Sequence, residues 1–239
     1  MSRLLTAGAL ALGLCFGTLA TAARADDAVP TYVSIPKPAA GSTILMVAPT
    51  VSLGLLTAAG STEPKDEWSK ASQQYIAASL GQSLQNRSYK TTSIDANTYD
   101  DPRALQILKL NSAVTDSIYA NKLPMSKLPT KASFDWSLGD GASALLPPGS
   151  DPAAPPAYAL FVDVAGNYSS SGRAAMAVGM ALLHVAVPLG SQAIQATLVD
   201  LKTGQVVWYQ DMIVPSGTDI RTAEGAGAAV NTLLKKLPL

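Results

Sequence analysis

The residue types on which most enzymes and metal sites depend are scarce in this sequence of 239 residues. It contains one histidine, His184, and one cysteine, Cys15. Two such residues do not supply the ligands of an ordinary zinc site, and a Ser-His-Asp triad would have to use His184. Because His184 lies in the apolar stretch AAMAVGMALLHVAVPLG, we interpret it as a hydrogen-bonded helix residue rather than a base. No cofactor is predicted, since the glycine-rich nucleotide-binding patterns are also absent.

Carboxylates are the other route to catalysis, since paired acids hydrolyse glycosidic bonds without any local sequence motif. Asp163 interrupts the apolar stretch AYALFVDVAGNY at residues 157–168. One interpretation is a periplasmic hydrolase that uses Asp163 or a loop acid from residues 122–156. The favoured alternative is a strand-end carboxylate that is solvated or paired with Arg173. The sequence therefore marks Asp163 and Arg173 as a possible polar site.

The helices and strands that would position these residues follow from the spacing of apolar side chains. Strands are predicted at residues 42–56, 89–95 and 157–168, and helices at 64–87, 101–121 and 219–237, with Asp101 and Asp219 as N-caps. Proline punctuates a long loop at residues 122–156. The fold class is therefore α/β (α+β), a single domain with a mixed sheet of about five strands and three main helices. A C-terminal β-hairpin followed by a helix completes it.

The hairpin is the most legible element, in the stretch LVDLKTGQVVWYQ at residues 198–210. A type I turn through Lys202 and Thr203 needs a left-handed residue next, and Gly204 supplies it. Similar hairpins occur once per blade in β-propellers, but a propeller repeats its unit every 40–50 residues or so. This chain has one such unit, so the hairpin belongs to a mixed domain.

The amino-terminal residues have the pattern of an export signal. Arg3 precedes an apolar run from Leu4 to Leu19, and Ala23-Arg24-Ala25 offers a cleavage site after residue 25. We therefore predict a signal peptide at residues 1–25, with a retained membrane anchor as the rival interpretation. An extended, proline-rich lead-in at 26–41 and a domain at 42–239 would follow. Leu14 before Cys15 disfavours lipidation, so we expect a periplasmic or otherwise exported protein and leave outer-membrane association open.

The charge of the chain argues against one class of partner. Without Arg3 and Arg24, fifteen basic residues face seventeen acidic ones, a formal charge of −2. No long basic run remains, so a nucleic-acid partner is not expected.

Residues 174–189 carry no charged side chain, and two interpretations are open. The favoured one is a helix buried against the sheet for most of its length. The other is a surface for self-association or membrane contact, presented by Met176, Met180, Leu182 and Leu183. The segment is short for a transmembrane helix, which needs about 20 residues.

Three stretches carry a resemblance to a known group: ALFVDVAGNYSSSGR, ATLVDLKTGQVVWYQ and TDIRTAEGAGAAVNTLLKKLP. Together with the order of elements, they resemble exported, mostly uncharacterised bacterial envelope (lipo)proteins. More distantly, they resemble the periplasmic domain of the curli-secretion outer-membrane lipoprotein. The resemblance implies a non-catalytic envelope accessory or assembly protein that acts through an envelope protein partner, self-association or membrane-surface contact. The alternative function is the carboxylate-based periplasmic hydrolase.

Overall fold

The computed structural model describes residues 31–95, 101–123 and 125–239, and the predicted signal peptide lies outside them. The strands of the described chain are β1 (Thr43–Val47), β2 (Thr50–Leu56), β3 (Thr62–Pro64), β4 (Lys90–Ile94), β5 (Tyr158–Ser169), β6 (Gln192–Asp200) and β7 (Val206–Ile213). Its α-helices are α1 (Asp66–Asn86), α2 (Pro102–Lys122), α3 (Ser171–Ala181) and α4 (Ala223–Leu233). One mixed sheet with helices packed against it confirms the predicted α+β class.

The twelve-residue strand β5 lies at the centre of the sheet. One of its edges pairs in parallel first with β1 and then with β2, and the other pairs antiparallel with β6. β4 extends the sheet beyond β1, β3 beyond β2, and β7 beyond β6. Residues 158–162 of β5 are all buried, as expected of a strand covered on both faces.

The predicted strand at residues 42–56 is divided, which raises the strand count above the expected five. Met46 pairs with Leu160, whereas Thr50 pairs with Asp163. Four residues of one strand therefore span three of the other, a one-residue bulge at Ala48-Pro49. Proline has no N–H to give to the ladder, which accounts for the break at this position. The short strand β3 adds the seventh.

Two cores lie on opposite faces of the sheet. One contains α1 and α4 with Leu160, Val162 and Val164, and the other contains α2 and the loop after it with Ala159 and Phe161. Successive β5 side chains contribute to alternate cores, because neighbouring residues of a strand point to opposite faces. The second core also receives the 3-10 helix at Asp140–Leu145, which lies within the predicted long loop.

The helix faces agree only in part with the sequence prediction. The spacing of the apolar residues Ile107, Leu110, Val114 and Ile118 predicts one apolar face on α2. Ile107 and Ile118 are buried, but Leu110 is exposed, and Asn111 and Thr115 take inward positions. The Thr197 hydroxyl donates to Asn111 Oδ1 at 3.0 Å, so this polar pair is satisfied inside the protein. The inner face of α2 is thus more polar than its apolar spacing indicated.

The two predicted N-caps have different outcomes. Asp101 caps α2 as predicted, because its carboxylate accepts the Arg103 N–H at 2.9 Å. Asp219 was a wrong prediction: α4 begins at Ala223, and the Thr222 hydroxyl accepts the Gly225 N–H instead. The Asp219 carboxylate binds Arg221 in the preceding turn.

Gly204 closes the β6–β7 hairpin in the predicted left-handed conformation, with φ of +70°. Its N–H donates to Asp200 O at 2.8 Å, and the Asp200 carboxylate accepts the N–H groups of Lys202 and Thr203. A Cβ at Gly204 would lie 2.0 Å from Gly139 O. The turn therefore needs glycine both for its conformation and for its contact with the loop.

We predict that Gly204→Ala destabilises the protein by about 2 kcal/mol or more, from backbone strain and the clash with Gly139 together. Gly217→Ala is the matched control, since Gly217 also has positive φ (+90°) but nothing lies within 4 Å of its Cβ position. Urea unfolding of both variants measures the difference. Equal losses for the two variants would show that the contact with Gly139 contributes nothing.

Candidate functional site

The apolar segment at residues 174–189 is exposed, so the favoured prediction of a buried helix is wrong. Leu182 and Leu183 are 79% and 69% exposed, Met176 is 37% exposed, and Met180 is half-buried. In the described part of the chain, α3 makes no extended packing contact with any other helix or strand. The reason is that α1, α2 and α4 already cover the two faces of the sheet. We call residues 171–190 the apolar projection.

Hydrogen bonds tie the base of the apolar projection to the sheet. The Asn167 N–H donates to Ser191 O, the Ser169 hydroxyl to Leu189 O, and the Gln192 side chain to Asn167 O. These bonds join the end of β5 to the start of β6. The projection therefore takes the place of a short hairpin turn between two paired strands, and its position is fixed where it leaves the sheet.

Arg173 is the one buried residue of α3. Its Nε donates to Pro188 O at 2.7 Å and its guanidinium to Thr57 O at 3.3 Å. The suggested pairing of Arg173 with Asp163 is absent from the ion pairs of the described residues. Asp163 aligns with Thr50 and Ser169 with Leu56, so the two sites lie about 20 Å apart along the strand. Arg173 fixes the two ends of the apolar projection to each other and to Thr57, whereas Asp163 lines a separate cavity.

His184 lies in the turn after α3 rather than in a helix, so that part of its interpretation is wrong. It is exposed, with φ of +58°. It follows Leu182 and Leu183 and does not line the cavity that contains Asp163. His184 is therefore a surface residue of the apolar projection and has no role beside the carboxylates.

A cavity of about 480 Å³ contains Asp163. It lies on the α2 face of the sheet, where β5, β6 and β7 extend beyond the packed core. Asp163, Gln195 and Asp211 are aligned across these three strands, so their side chains share this face. Ser112, Asp116 and Tyr119 of α2 form the facing wall, and Thr50, Ser52, Ala165, Ala193 and Ile213 are among the other lining residues.

The electrostatic character of the cavity is acidic. Burial raises the pKa of Asp163, a hydrogen bond from Thr50 opposes the shift, and the negative charge of Asp116 adds to it. Asp211 differs because it forms an ion pair with Lys122. In the described chain, Asp116 and Asp163 have no such partner. The arrangement leaves two carboxylates without a countercharge beside one cavity.

The described carboxylates are not grouped as a metal site would require. In residues 31–95, 101–123 and 125–239, no three His, Cys, Asp or Glu side chains are grouped so as to hold a metal ion. The acids of the predicted loop do not line the cavity either, and Asp135 pairs with Lys131. The version of the predicted hydrolase that uses Asp163 therefore gets no second acid from this loop at the cavity.

A separate cluster of side chains joins three elements on the other face. The Arg221 guanidinium lies 3.8 Å from the Tyr168 ring centroid and 4.6 Å from that of Trp68. Its hydrogen bonds to the Asp219 carboxylate hold the pKa of Asp219 down to about 2. This cluster connects α1, the end of β5 and the entry to α4, which is a structural role.

We predict that Asp163→Asn stabilises the protein at pH 7. The raised pKa of Asp163 means that the folded protein favours the protonated carboxyl. The contribution of this carboxyl to folding stability is therefore fully present below the pKa of the unfolded chain, near 3.8, and is lost as pH rises through the folded pKa. Asparagine keeps the neutral form at every pH. Thermal unfolding should give the variant the higher Tm at pH 7 and the same Tm as wild type at pH 3. A lower Tm at pH 7 would contradict the uncompensated carboxylate.

No protein-family model and no curated protein matches the chain, but solved structures do. The PelC dodecamer from Paraburkholderia phytofirmans is 12% identical, with a TM-score of 0.34 over 87% of this chain and 95% of that chain. The LpoB C-terminal domain from Salmonella enterica is 15% identical, with a TM-score of 0.28 over 75% of this chain and 86% of that chain. Lipoprotein GNA1162 from Neisseria meningitidis is 12% identical, with a TM-score of 0.33 over 82% of this chain and 97% of that chain. One of these neighbours is named a lipoprotein, and likeness at this level assigns no family.

Proposed function

We propose that this protein is an exported, non-catalytic envelope accessory protein that attaches to a lipid bilayer through the apolar projection. The observation that carries the proposal is the exposure of large apolar side chains there, with Val178, Leu182 and Leu183 at its centre. Exposed apolar patches of this kind mark interaction sites in soluble proteins. The resemblance to the curli-secretion lipoprotein stays a prediction.

The composition of the apolar projection favours burial of its exposed side chains in lipid over burial in a protein groove. Between Ala174 and Leu189 there is no charged side chain, and large apolar residues are exposed both along α3 and after it. A helix that is apolar all round needs cover on every side, which a bilayer provides and a single flat protein face does not. Each large apolar side chain contributes roughly 1.5–3 kcal/mol when fully buried.

The length of α3 fits shallow insertion. Its eleven residues rise about 16 Å, close to half of a hydrocarbon core about 30 Å thick. Separately, the described residues contain no helix long and apolar enough to cross a membrane. We infer that the projection enters one leaflet while the domain stays in the aqueous phase.

Export is the other part of the proposal. Its support is the signal-peptide pattern at residues 1–25, with Ala23 and Ala25 before the cleavage site. The mass of protein extracted from the cell envelope should correspond to a chain that begins at Asp26. A cytoplasmic protein that keeps Met1 would contradict export.

We predict that a Leu182→Asp and Leu183→Asp double variant folds normally but loses binding to phosphatidylcholine vesicles. Both side chains are exposed, so the fold loses no packing, whereas two carboxylates resist transfer into lipid. The measurement is vesicle flotation, with circular dichroism to confirm folding. Met125→Asp is the matched control, since Met125 is 99% exposed but lies outside the projection. Wild-type binding should depend little on salt, because the projection carries few charges.

Two results would overturn attachment to lipid. One is a double variant that still floats with the vesicles. The other is a wild-type chain that is oligomeric in solution without vesicles and becomes monomeric in the double variant, which would make a second copy of the chain the occupant.

The carboxylate-based hydrolase is the second candidate, because Asp163 and Asp116 line one cavity. The raised pKa of Asp163 is a property of general acids in such enzymes. If this candidate is right, the protein cleaves a nitrophenyl glycoside and Asp163→Asn abolishes the cleavage while remaining folded. Cleavage that survives in Asp163→Asn would assign it to a contaminant.

A further inference from the structure

We propose that the cavity beside Asp163 binds a small organic amine, with the ammonium group at the carboxylates and the apolar part against the alanine-lined wall. This is a second binding site, independent of the apolar projection and of the proposed attachment to lipid. The proposal begins from the cavity itself, whose volume of about 480 Å³ lies in the range of small-molecule sites.

The walls of the cavity combine the two properties that such a ligand needs. Ala165, Ala193 and Ile213 share one face of neighbouring strands, by their alignment across β5, β6 and β7. The aromatic side chain of Tyr119 lines the cavity from α2. These groups form an apolar wall close to Asp163, so an amine with an apolar body contacts both.

The charges of the residues around the cavity indicate that its ligand is positively charged. No basic side chain lines the cavity among the described residues. The nearby Lys122 is held by Asp211 and lies 5.1 Å from the Tyr209 ring centroid. Asp116 and Asp163 therefore face the cavity without a countercharge, and a cation that enters it relieves the repulsion between them.

The geometry favours an organic cation over a metal ion. A divalent cation needs several oxygen ligands around one point, and the described carboxylates do not converge in that way. An ammonium group is satisfied by fewer acceptors: it has three donors, and Asp163, Asp116 and the Gln195 amide oxygen are the acceptors on offer. The Tyr209 hydroxyl already lies 3.4 Å from Gln195 Oε1, so this amide is held in place.

The experiment compares two ligands of the same shape. Benzylamine is positively charged at neutral pH and benzyl alcohol is not. Each is titrated into the isotope-labelled, purified full chain and followed by amide chemical shifts. We expect benzylamine to shift the amides near Asp163, Gln195 and Asp211, and benzyl alcohol to bind at least about tenfold more weakly, because it lacks the charge-assisted contact.

Asp163→Asn tests the contact directly, since that variant is expected to fold and to be more stable than wild type. It should lower benzylamine affinity at least about tenfold and leave benzyl alcohol unchanged. Asp151→Asn, in the loop outside the cavity, should bind both ligands as wild type does. Benzylamine binding should also strengthen as pH rises and Asp163 loses its proton. Equal binding of the two ligands, unchanged affinity in Asp163→Asn, or shifts confined to other parts of the protein would each overturn the proposal.

Discussion

β5 is buried on both faces along its first half and is hydrogen-bonded along both edges, and this double pairing sets the position of every other layer. Its parallel edge pairs with β1 and then with β2, and the extra residue at Ala48-Pro49 lies between the two pairings. Its antiparallel edge aligns β6, and through β6 it aligns β7. The alternation of its side chains then assigns α1 and α4 to one face and α2 to the other.

Both candidate sites lie where β5 continues beyond the part that α2 covers. On the α2 face, the strand extends past the packed core and leaves Asp163 and Ala165 at the floor of a cavity rather than under a helix. Pairing with β6 ends at Gly166 and pairing with β2 ends at Ser169, after which the chain leaves the sheet as the apolar projection. A core position that carries a carboxylate, and a turn that carries an uncharged helix, are local departures from the pattern that stabilises the rest of the domain. Such departures are where function is expected.

The sequence predicted the elements better than it predicted which faces they bury. The strand at residues 157–168, the cap at Asp101 and the left-handed Gly204 followed from rules that depend on a few neighbouring residues. The exposure of Leu182 and Leu183 did not follow, because apolar composition is the same for a buried helix and for one that binds lipid. The difference depends on whether the sheet has a free face, which is a property of the whole fold.

The residues around the cavity were also predicted only in part, although more of them could have been inferred from the sequence. Asp163 was recognised because it interrupts an apolar run, but its pairing with Arg173 was wrong, since sequence proximity says little about contacts along a strand. Asp116 and Asp211 were missed as its neighbours. The register Asp163–Gln195–Asp211 would have followed from the hairpin, had its alternation been extended to β5. Asp116 required the orientation of α2, whose apolar spacing indicated a different inner face.

The proposed entry of the apolar projection into a bilayer is tested most directly by a fluorescent label at its tip. The only cysteine of the chain is Cys15, inside the predicted signal peptide, so the chain from Asp26 onward accepts a single cysteine for labelling. An environment-sensitive nitrobenzoxadiazole group on Leu182→Cys should brighten and shift to the blue with phosphatidylcholine vesicles, whereas the same group on Met125→Cys should not change. A label at residue 182 that keeps its aqueous emission with vesicles present would contradict the account.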